Sequence, residues 1–376
     1  MTNLALKEYK VLFDGQKSGY DASGGSVIYA NGELYLLFQK ASDGEKGLRP
    51  LMTKSADLGE TWTTPETFGP DILKDPQNEF MALGLCGPTK KGTTLCIGVH
   101  LQKGISTGNY VDTVKWRPGT AIIGRKEKGE ENFTYQYYST GTFLGEQFVG
   151  SGIVLSSGRV VLTIWGAKEQ NENWRCGVLI SDDDGLSWKY SDVGYEPDLS
   201  IRNNPVMPAG FNEQTLYETQ DGDLISLIRG REKLGMVKDS PRDTWFFRSI
   251  SKDRGETWSN PEITDIAGTG AAGYGLTLFD GSLIHACRIP YHRQMYFLEE
   301  PSAYGLHIAR SIDKGKTWKT VLFKQRDPAG RIFDNYYNAM NGQFISIDEN
   351  RCIYVFGQFH HRENIHRVLA LDFYIE

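Results

Sequence analysis

The sequence has no hydrophobic run long enough to cross a membrane, no excess of positive charge and no cysteine pattern typical of a zinc site. None of its apolar runs approaches the ~20 residues that a spanning helix needs. The formal net charge of -6 argues against nucleic acid or an anionic membrane as the main partner. The five cysteines form no CxxC pair, and we expect neither a metal nor a cofactor.

The sequence also lacks a recognisable signal peptide, an internal linker and long helical periodicity. The missing signal is compatible with a cytoplasmic protein and with a secreted one whose leader is absent from this sequence. Without a Pro- or Ser-rich linker or a charge block, residues 1–376 are predicted to form one domain. Cys96, Cys287 and Cys352 lie inside apolar runs and are predicted to be buried in strands.

What the sequence does contain is an octapeptide that occurs four times with the pattern S-x-D-x-G-x-[ST]-W. The copies start at positions 126, 70 and 60 residues apart. The first gap is about two periods long, so we expect an altered copy near residues 125–133. The four copies run from Ser55 to Trp62, from Ser181 to Trp188, from Ser251 to Trp258 and from Ser311 to Trp318.

A second repeat consists of a turn residue and a glycine followed by an apolar strand. Its spacing of 59 to 69 residues divides the chain into six units. In the sixth copy Asn350 replaces the glycine, and we expect it to adopt the left-handed conformation. The turns are Asn31-Gly32, Lys91-Gly92, Ser157-Gly158, Asp221-Gly222, Asp280-Gly281 and Glu349-Asn350.

Six units of about 60 residues, each made of two hairpins, predict an all-β fold. A four-stranded sheet cannot bury both of its faces alone, but six sheets arranged around a central channel bury their faces against each other. We therefore predict a six-bladed β-propeller. The octapeptide then lies at the turn between the third and fourth strands, where Asp binds turn N–H groups and Trp contacts the blade.

The octapeptide is similar to the Asp box of the sialidase superfamily, whose six-bladed fold matches the predicted repeat across essentially the whole chain. The four copies are thus four recognisable Asp boxes. In that superfamily the boxes lie at the periphery, away from the active site. The resemblance therefore implies a structural role for the box aspartates, namely Asp57, Asp183, Asp253 and Asp313.

Counting from the turn glycines predicts which residues face the mouth of the channel. Glu213 lies nine positions before Gly222 and Arg229 lies seven after it, so we expect the two to be neighbours. This stretch also resembles the sialidase segment in which a glutamate polarises a tyrosine nucleophile and an arginine grips the substrate carboxylate. The alternative interpretation is an inter-blade salt bridge without a catalytic role.

Three further carboxylates are candidates for the same mouth. Asp43 lies twelve residues before Ser55, where sialidases carry their general acid/base, although an ordinary Asp-Gly turn is the alternative. Asp21 and Glu146 precede the inner strands of blades 1 and 3. The exo-arabinanases of the superfamily use two blade carboxylates, so Glu146 is a reserve candidate for the acid, the alternative being a solvated loop residue.

Three side chains hold the position of Arg229 in other blades, seven residues after the turn glycine. They are Gln39 in blade 1, Trp165 in blade 3 and Arg288 in blade 5. Aromatic rings and planar polar groups suit a sugar, so we expect these residues and Asp21 to bind substrate. Trp165 is alternatively a packing residue.

The predicted function is a glycoside hydrolase acting on a carbohydrate in the central funnel, with Glu213 and Asp43 as the catalytic pair. The resemblance to ordinary sialidases is incomplete. The arginine expected before the first turn is absent around Asp21, Ala303 replaces the third arginine, and Asn341 replaces the nucleophilic tyrosine. A neutral sugar such as an arabinofuranoside, or an unusual acidic sugar, is the expected substrate.

Three alternatives remain open at this point. One is a non-catalytic glycan-binding propeller, because propellers have many functions. Another is an exo-α-sialidase with a rearranged site, in which Tyr336 or Tyr337 replaces the usual nucleophile. The last is a protein-interaction scaffold.

Overall fold

The computed structural model describes residues 4–18, 22–40, 50–71, 78–102, 120–143, 145–147, 152–168, 175–195, 211, 213–230, 244–268, 275–289, 305–324, 326, 337–360 and 365–375. The regular structure of these residues is β-strand apart from a single helical turn, α1 (Gly15–Ser18). Their strands form six antiparallel sheets, which confirms the predicted six-bladed β-propeller. No helix in this part of the chain has the length and apolar character needed to span a bilayer.

The first three blades follow one another along the chain. Blade 1 contains β2 (Ser23–Ala30), β3 (Glu33–Gln39), β4 (Pro50–Ser55) and β5 (Glu66–Thr67). Blade 2 contains β6 (Asn78–Cys86), β7 (Thr94–Gln102), β8 (Thr120–Lys126) and β9 (Thr134–Tyr138). The inner strand of blade 3 is split into two pieces, both paired with β12. Its strands are β10 (Gly145–Gln147), β11 (Ile153–Val154), β12 (Val160–Ala167), β13 (Arg175–Ser181) and β14 (Lys189–Tyr195).

The last blade differs from the others because its outer strand comes from the start of the chain. Blade 4 contains β15 (Gln214–Glu218), β16 (Leu224–Arg229), β17 (Thr244–Ser251) and β18 (Glu262–Gly268). Blade 5 contains β19 (Gly275–Thr277), β20 (Leu283–Ile289), β21 (Gly305–Ser311) and β22 (Lys319–Lys324). Blade 6 contains β23 (Tyr337–Asp348), β24 (Arg351–His360), β25 (Ile365–Ile375) and β1 (Leu4–Asp14). Pairing of β1 with β25 closes the ring.

The apolar core is divided among the joints between blades. The described buried residues form six hydrophobic clusters, each of which combines side chains from two neighbouring blades. Ile284 of blade 5 and Phe356 of blade 6, for example, share one cluster. Each sheet therefore buries both of its faces, as the radial arrangement requires. All five cysteines are buried and free, which confirms the predicted burial of Cys96, Cys287 and Cys352.

The predicted turns lie where expected, with one exception. Gly222 has a φ of 84° between β15 and β16, and the other four turn glycines have similar values. Asn350 does not have a positive φ, so that prediction was wrong. In its turn the Asp348 Oδ1 accepts a 2.8 Å hydrogen bond from the Asn350 N–H. This side-chain turn makes the left-handed conformation unnecessary.

Each octapeptide lies at the turn between the third and fourth strands of its blade. In blade 1 the Asp57 carboxylate accepts hydrogen bonds from the N–H and hydroxyl of Thr61 and from the hydroxyl of Ser55. These bonds lower the pKa of Asp57 to about 2. The aspartates of the other three copies make the same contacts. The aspartate carboxylates of all four octapeptides thus stabilise their own turns.

Candidate functional site

The site candidates among the described residues lie at one end of the propeller, which we call the funnel end. Here the inner strand of each blade begins and the second strand finishes, because the two strands are antiparallel. The turn glycines and the octapeptides lie at the other end, which we call the octapeptide end. The candidates and the octapeptide aspartates are therefore separated by the length of a strand.

Glu213 and Arg229 form a cross-strand pair at the funnel end of blade 4. The Arg229 N–H donates to the Glu213 carbonyl at 2.8 Å, and the Arg229 Nη1 donates to the Glu213 Oε2 at 2.7 Å. The side chains are 14% and 19% exposed, respectively, so solvent still reaches both. The expected adjacency is therefore present. The salt bridge of the alternative interpretation is therefore present, but it lies within blade 4 and not between blades.

Gln214 anchors the start of this inner strand to blade 3. Its Nε2 donates to the carbonyls of Ile164 and Gly177 at 3.1 and 2.6 Å, and its Oε1 accepts a bond from Ser226 Oγ. It is 1% exposed, so these bonds satisfy a buried amide. Sequence reasoning missed this residue. Strand alternation was the available signal, because the residue after Glu213 must face the opposite side.

Trp165 lies on blade 3 beside the segment that Gln214 contacts. It is half-buried and pairs in register with Gln147 on one side and Cys176 on the other. The pKa of Cys176 is raised, first by burial and then by the charges of Asp192 and Glu213.

The remaining candidate residues lie on blades 1, 3 and 5 or outside the described part of the chain. Glu146 lies on β10, in register with Gly166, next to the Trp165 position. Gln39 is buried at the end of β3 in blade 1, and Arg288 occupies the corresponding place on β20 in blade 5. Glu146 and Trp165 thus lie on blade 3 and Glu213 and Arg229 on blade 4, whereas Gln39 and Arg288 lie on other blades. Asp21 and Asp43 lie outside the described residues.

The chemistry available at the funnel ends of blades 3 and 4 is that of a carboxylate, a guanidinium and an indole. Within the described residues there is no group of three or more His, Cys, Asp or Glu side chains that could hold a metal ion. A carboxylate held by a guanidinium can orient a hydroxyl or accept a proton, and a half-buried indole offers a face for stacking. Such groups suit a carbohydrate better than an apolar ligand.

Comparison with known proteins agrees with this architecture. Residues 134–344 match the family model described as BNR repeat-like domain. No curated protein sequence matches the chain. Among solved structures, a protein of unknown function from Dyadobacter fermentans DSM 18053 is similar at 18% identity and a TM-score of 0.71, with all of both chains covered.

Two enzymes share the fold at lower identity. The Hadza microbial sialidase Hz136 is 14% identical with a TM-score of 0.68, covering 97% of this chain and 68% of its own. The α-L-arabinofuranosidase Arb93A from Fusarium graminearum is 11% identical with a TM-score of 0.63, covering 97% of both chains. The family model covers more than half of the sequence, and the chain belongs to the BNR repeat-like domain family.

Proposed function

We propose that this protein is a glycoside hydrolase that acts on a neutral sugar bound at the funnel end. The observation that carries the proposal is the partly exposed Glu213–Arg229 pair at the mouth of blade 4. A purely structural ion pair would be equally stable at the outer edge of a blade. At the inner strand, its remaining exposed surface faces the place where a propeller binds its ligand.

The roles follow from the needs of glycoside hydrolysis, which requires two carboxyl groups on either side of the scissile bond. Glu213 acts as the base or nucleophile, and Arg229 fixes the orientation of its carboxylate. Asp43 is the proposed acid, with Glu146 as the reserve. Trp165 stacks on a sugar ring, and Arg288, Gln39 and Asp21 contact hydroxyl groups from the neighbouring blades.

Two considerations support a neutral substrate. The matched structures include an arabinofuranosidase as well as sialidases, so the shared fold is compatible with neutral sugars. A sialoside carboxylate is best held by several guanidinium groups, and each lost charge-assisted contact costs about 1.5–3 kcal/mol. Asp21, Ala303 and Asn341 occupy the positions where the sialidase resemblance calls for two arginines and a tyrosine.

The test is a substrate panel of chromogenic glycosides and natural glycans that includes arabinofuranosides and sialyllactose. On the best substrate, Glu213→Gln should lower kcat by at least about 100-fold while the melting curve stays unchanged. The matched control is Glu218→Gln, on the same strand but at the octapeptide end, where its carboxylate binds Ser156. Near-wild-type turnover by Glu213→Gln would remove this residue from the mechanism.

The same panel tests the sialidase alternative. We expect little release of sialic acid from sialyllactose. Release at a rate typical of enzymes, abolished by Arg229→Ala, would instead favour a sialidase with a rearranged site.

A non-catalytic glycan-binding propeller is the second candidate, because an ion pair that holds the carboxylate in place also suits a binding surface. Arg229 occupies one oxygen of the Glu213 carboxylate, which is compatible with a fixed hydrogen-bonding surface as well as with catalysis. This candidate predicts saturable binding of a glycan with no product formed. Binding should then survive Glu213→Gln to within about tenfold and be lost in Trp165→Ala.

A further inference from the structure

The turn between β8 and β9 in blade 2 begins at the same register as the octapeptide turns, but it has neither their signature side chains nor their two consecutive left-handed residues. Lys126 pairs with Thr94 in the register in which Ser55 pairs with Leu34 in blade 1. Every octapeptide has a positive φ at its fourth and fifth residues, whereas Gly129, with a φ of 90°, is followed by Glu130, which does not have one. By strand register, Lys126 stands at the serine position.

The Lys126 side chain leaves the turn and enters the joint between blades 1 and 2. Lys126 is only 6% exposed, and its Nζ donates a single long hydrogen bond, 3.5 Å, to the Tyr35 hydroxyl. The ammonium group lies 4.8 Å from the centre of the Tyr35 ring and 5.9 Å from that of Phe133. Within the described part of the chain it forms no ion pair, so most of its hydrogen-bonding capacity is unused.

A second buried polar group lies next to it. The Thr94 hydroxyl belongs to the cross-strand partner of Lys126, is in a residue only 1% exposed, and has no hydrogen-bond partner among the described residues. Buried hydroxyl groups are nearly always hydrogen-bonded, because an unsatisfied one costs about 1–3 kcal/mol. Because cross-strand partners share one face of the sheet, a single acceptor between these two side chains would satisfy both donors.

The surrounding charges leave this region positive. Lys54 places its Nζ 5.2 Å from the centre of the Tyr35 ring, so Tyr35 contacts two ammonium groups. The nearby carboxylate, Glu33, accepts a 3.2 Å bond from the Tyr35 hydroxyl and not from Lys126. Burial, followed by the charge of Lys54, lowers the pKa of Lys126, and Glu33 opposes this shift. Two cations therefore share one carboxylate.

We propose that Lys126 and Thr94 form a binding site for a small monovalent anion of the size of chloride. The ammonium and the hydroxyl are both donors, the local charge is positive, and the burial of both residues excludes a large ligand. In the other octapeptide turns an aspartate carboxylate accepts the donor groups. In blade 2 the bound anion lies instead in the joint, where it holds blade 2 against blade 1. The site lies at the octapeptide end and is independent of the proposed catalysis.

Thermal unfolding at increasing chloride and constant ionic strength, with gluconate as the balancing anion, tests the site. Binding to the folded state alone raises stability, so the melting temperature of the wild type should rise by a few degrees and then saturate. The rise should disappear in Lys126→Met, whose unbranched side chain keeps the contacts with Tyr35 and Phe133. It should also be weakened in Thr94→Val.

The matched control is Lys189→Met, which removes a lysine from the joint between blades 3 and 4, where it pairs with Glu256. This variant should keep the full chloride response. Crystals grown in bromide should in addition show an anomalous peak beside the Lys126 Nζ. A chloride response that survives Lys126→Met or is unaltered by Thr94→Val, or a bromide peak absent from this joint, would overturn the proposal.

Discussion

At the scale of single residues, His285 is the clearest case of a group whose ionisation is controlled by a blade joint. It is fully buried on β20 of blade 5, and its Nδ1 lies 2.8 Å from the Tyr217 hydroxyl of blade 4. Phe246 contacts its ring edge to face, with 5.0 Å between ring centres. The Nε2 has no hydrogen-bond partner within the described residues, and burial lowers the pKa of His285 to about 3.

The lowered pKa of His285 predicts that this single residue makes the free energy of unfolding depend on acid pH. The unfolded chain binds a proton at His285 below its ordinary pKa of 6.5, and the folded chain does so only near 3. The stabilising contribution is therefore complete above pH 6.5 and is lost as the pH falls towards 3. Relative to His285→Gln, the wild type should lose about 1.4 kcal/mol of unfolding free energy per pH unit in this window.

Urea unfolding of both proteins between pH 7 and 4 measures this difference, because other groups contribute equally to the two. Tyr217→Phe is the control: it removes the hydroxyl but keeps the buried imidazole, so its acid dependence should follow that of the wild type. A constant difference between wild type and His285→Gln across the window would show that His285 is not the titrating group.

At the scale of elements, the octapeptide turn contains a left-handed residue that is not a glycine. Leu58, Asp184, Arg254 and Lys314 hold its fourth position with φ between 56° and 67°, although L-residues rarely adopt this conformation. Some of these residues also reach the preceding blade: Lys314 binds Asp221 and Asp223 of blade 4. In the corresponding turn of blade 2 the signature residues have changed, and Gly129 is the residue with a positive φ.

Gly129→Ala should therefore destabilise the protein by about 1 kcal/mol through backbone conformation alone. A methyl group at this position would meet nothing within 4 Å, so steric clash makes no contribution. Gly129→Asn should cost less, because asparagine tolerates the left-handed region. The measurement is the urea midpoint at unchanged slope.

The neighbouring substitution Glu130→Ala provides the baseline for this comparison. Glu130 is exposed and does not have a positive φ, so we expect a change within about 0.5 kcal/mol. If Gly129→Ala were as neutral as Glu130→Ala, the turn would not depend on the left-handed conformation.

At the scale of the whole molecule, stability depends on closure of the ring. Each hydrophobic cluster belongs to two blades, so an open ring would leave two faces without a partner. The closing contact is the pairing of β1 with β25, which runs from Leu4 opposite Ile375 to Asp14 opposite Arg367. These two strands come from opposite ends of the described chain and are joined by their backbone pairing.

Deletion of residues 4–14 should therefore abolish cooperative folding, although it removes only one outer strand. It exposes the edge of β25 and uncovers the joint beside Leu369 and Phe373. We expect aggregation by light scattering and no sharp melting transition. The control Val11→Thr changes an exposed residue of the same strand and should melt like the wild type.

Attaching the deleted segment after Ile375 through a short flexible linker should restore folding, because Leu4 and Ile375 are already paired. A truncated protein that remained soluble and melted sharply would show that five complete blades suffice.

The sequence by itself determined the blade count, the positions of the turns and the adjacency of Glu213 and Arg229. These features depend on strand alternation, turn chemistry and distance along one hairpin, which are local. Even among these local features, the prediction of a left-handed conformation for Asn350 was wrong, because the Asp348 side chain forms the turn in another way.

Only the tertiary structure decided which side chains meet between blades. The bonds from Gln214 to blade 3, the burial of His285 against Tyr217 and the contact of Lys126 with Tyr35 join residues 37 to 91 positions apart. Such contacts depend on how neighbouring twisted sheets pack face to face, and no short-range pattern specifies that packing. The local sequence therefore makes each blade, whereas the joints between blades decide which polar groups are buried and which remain available for binding.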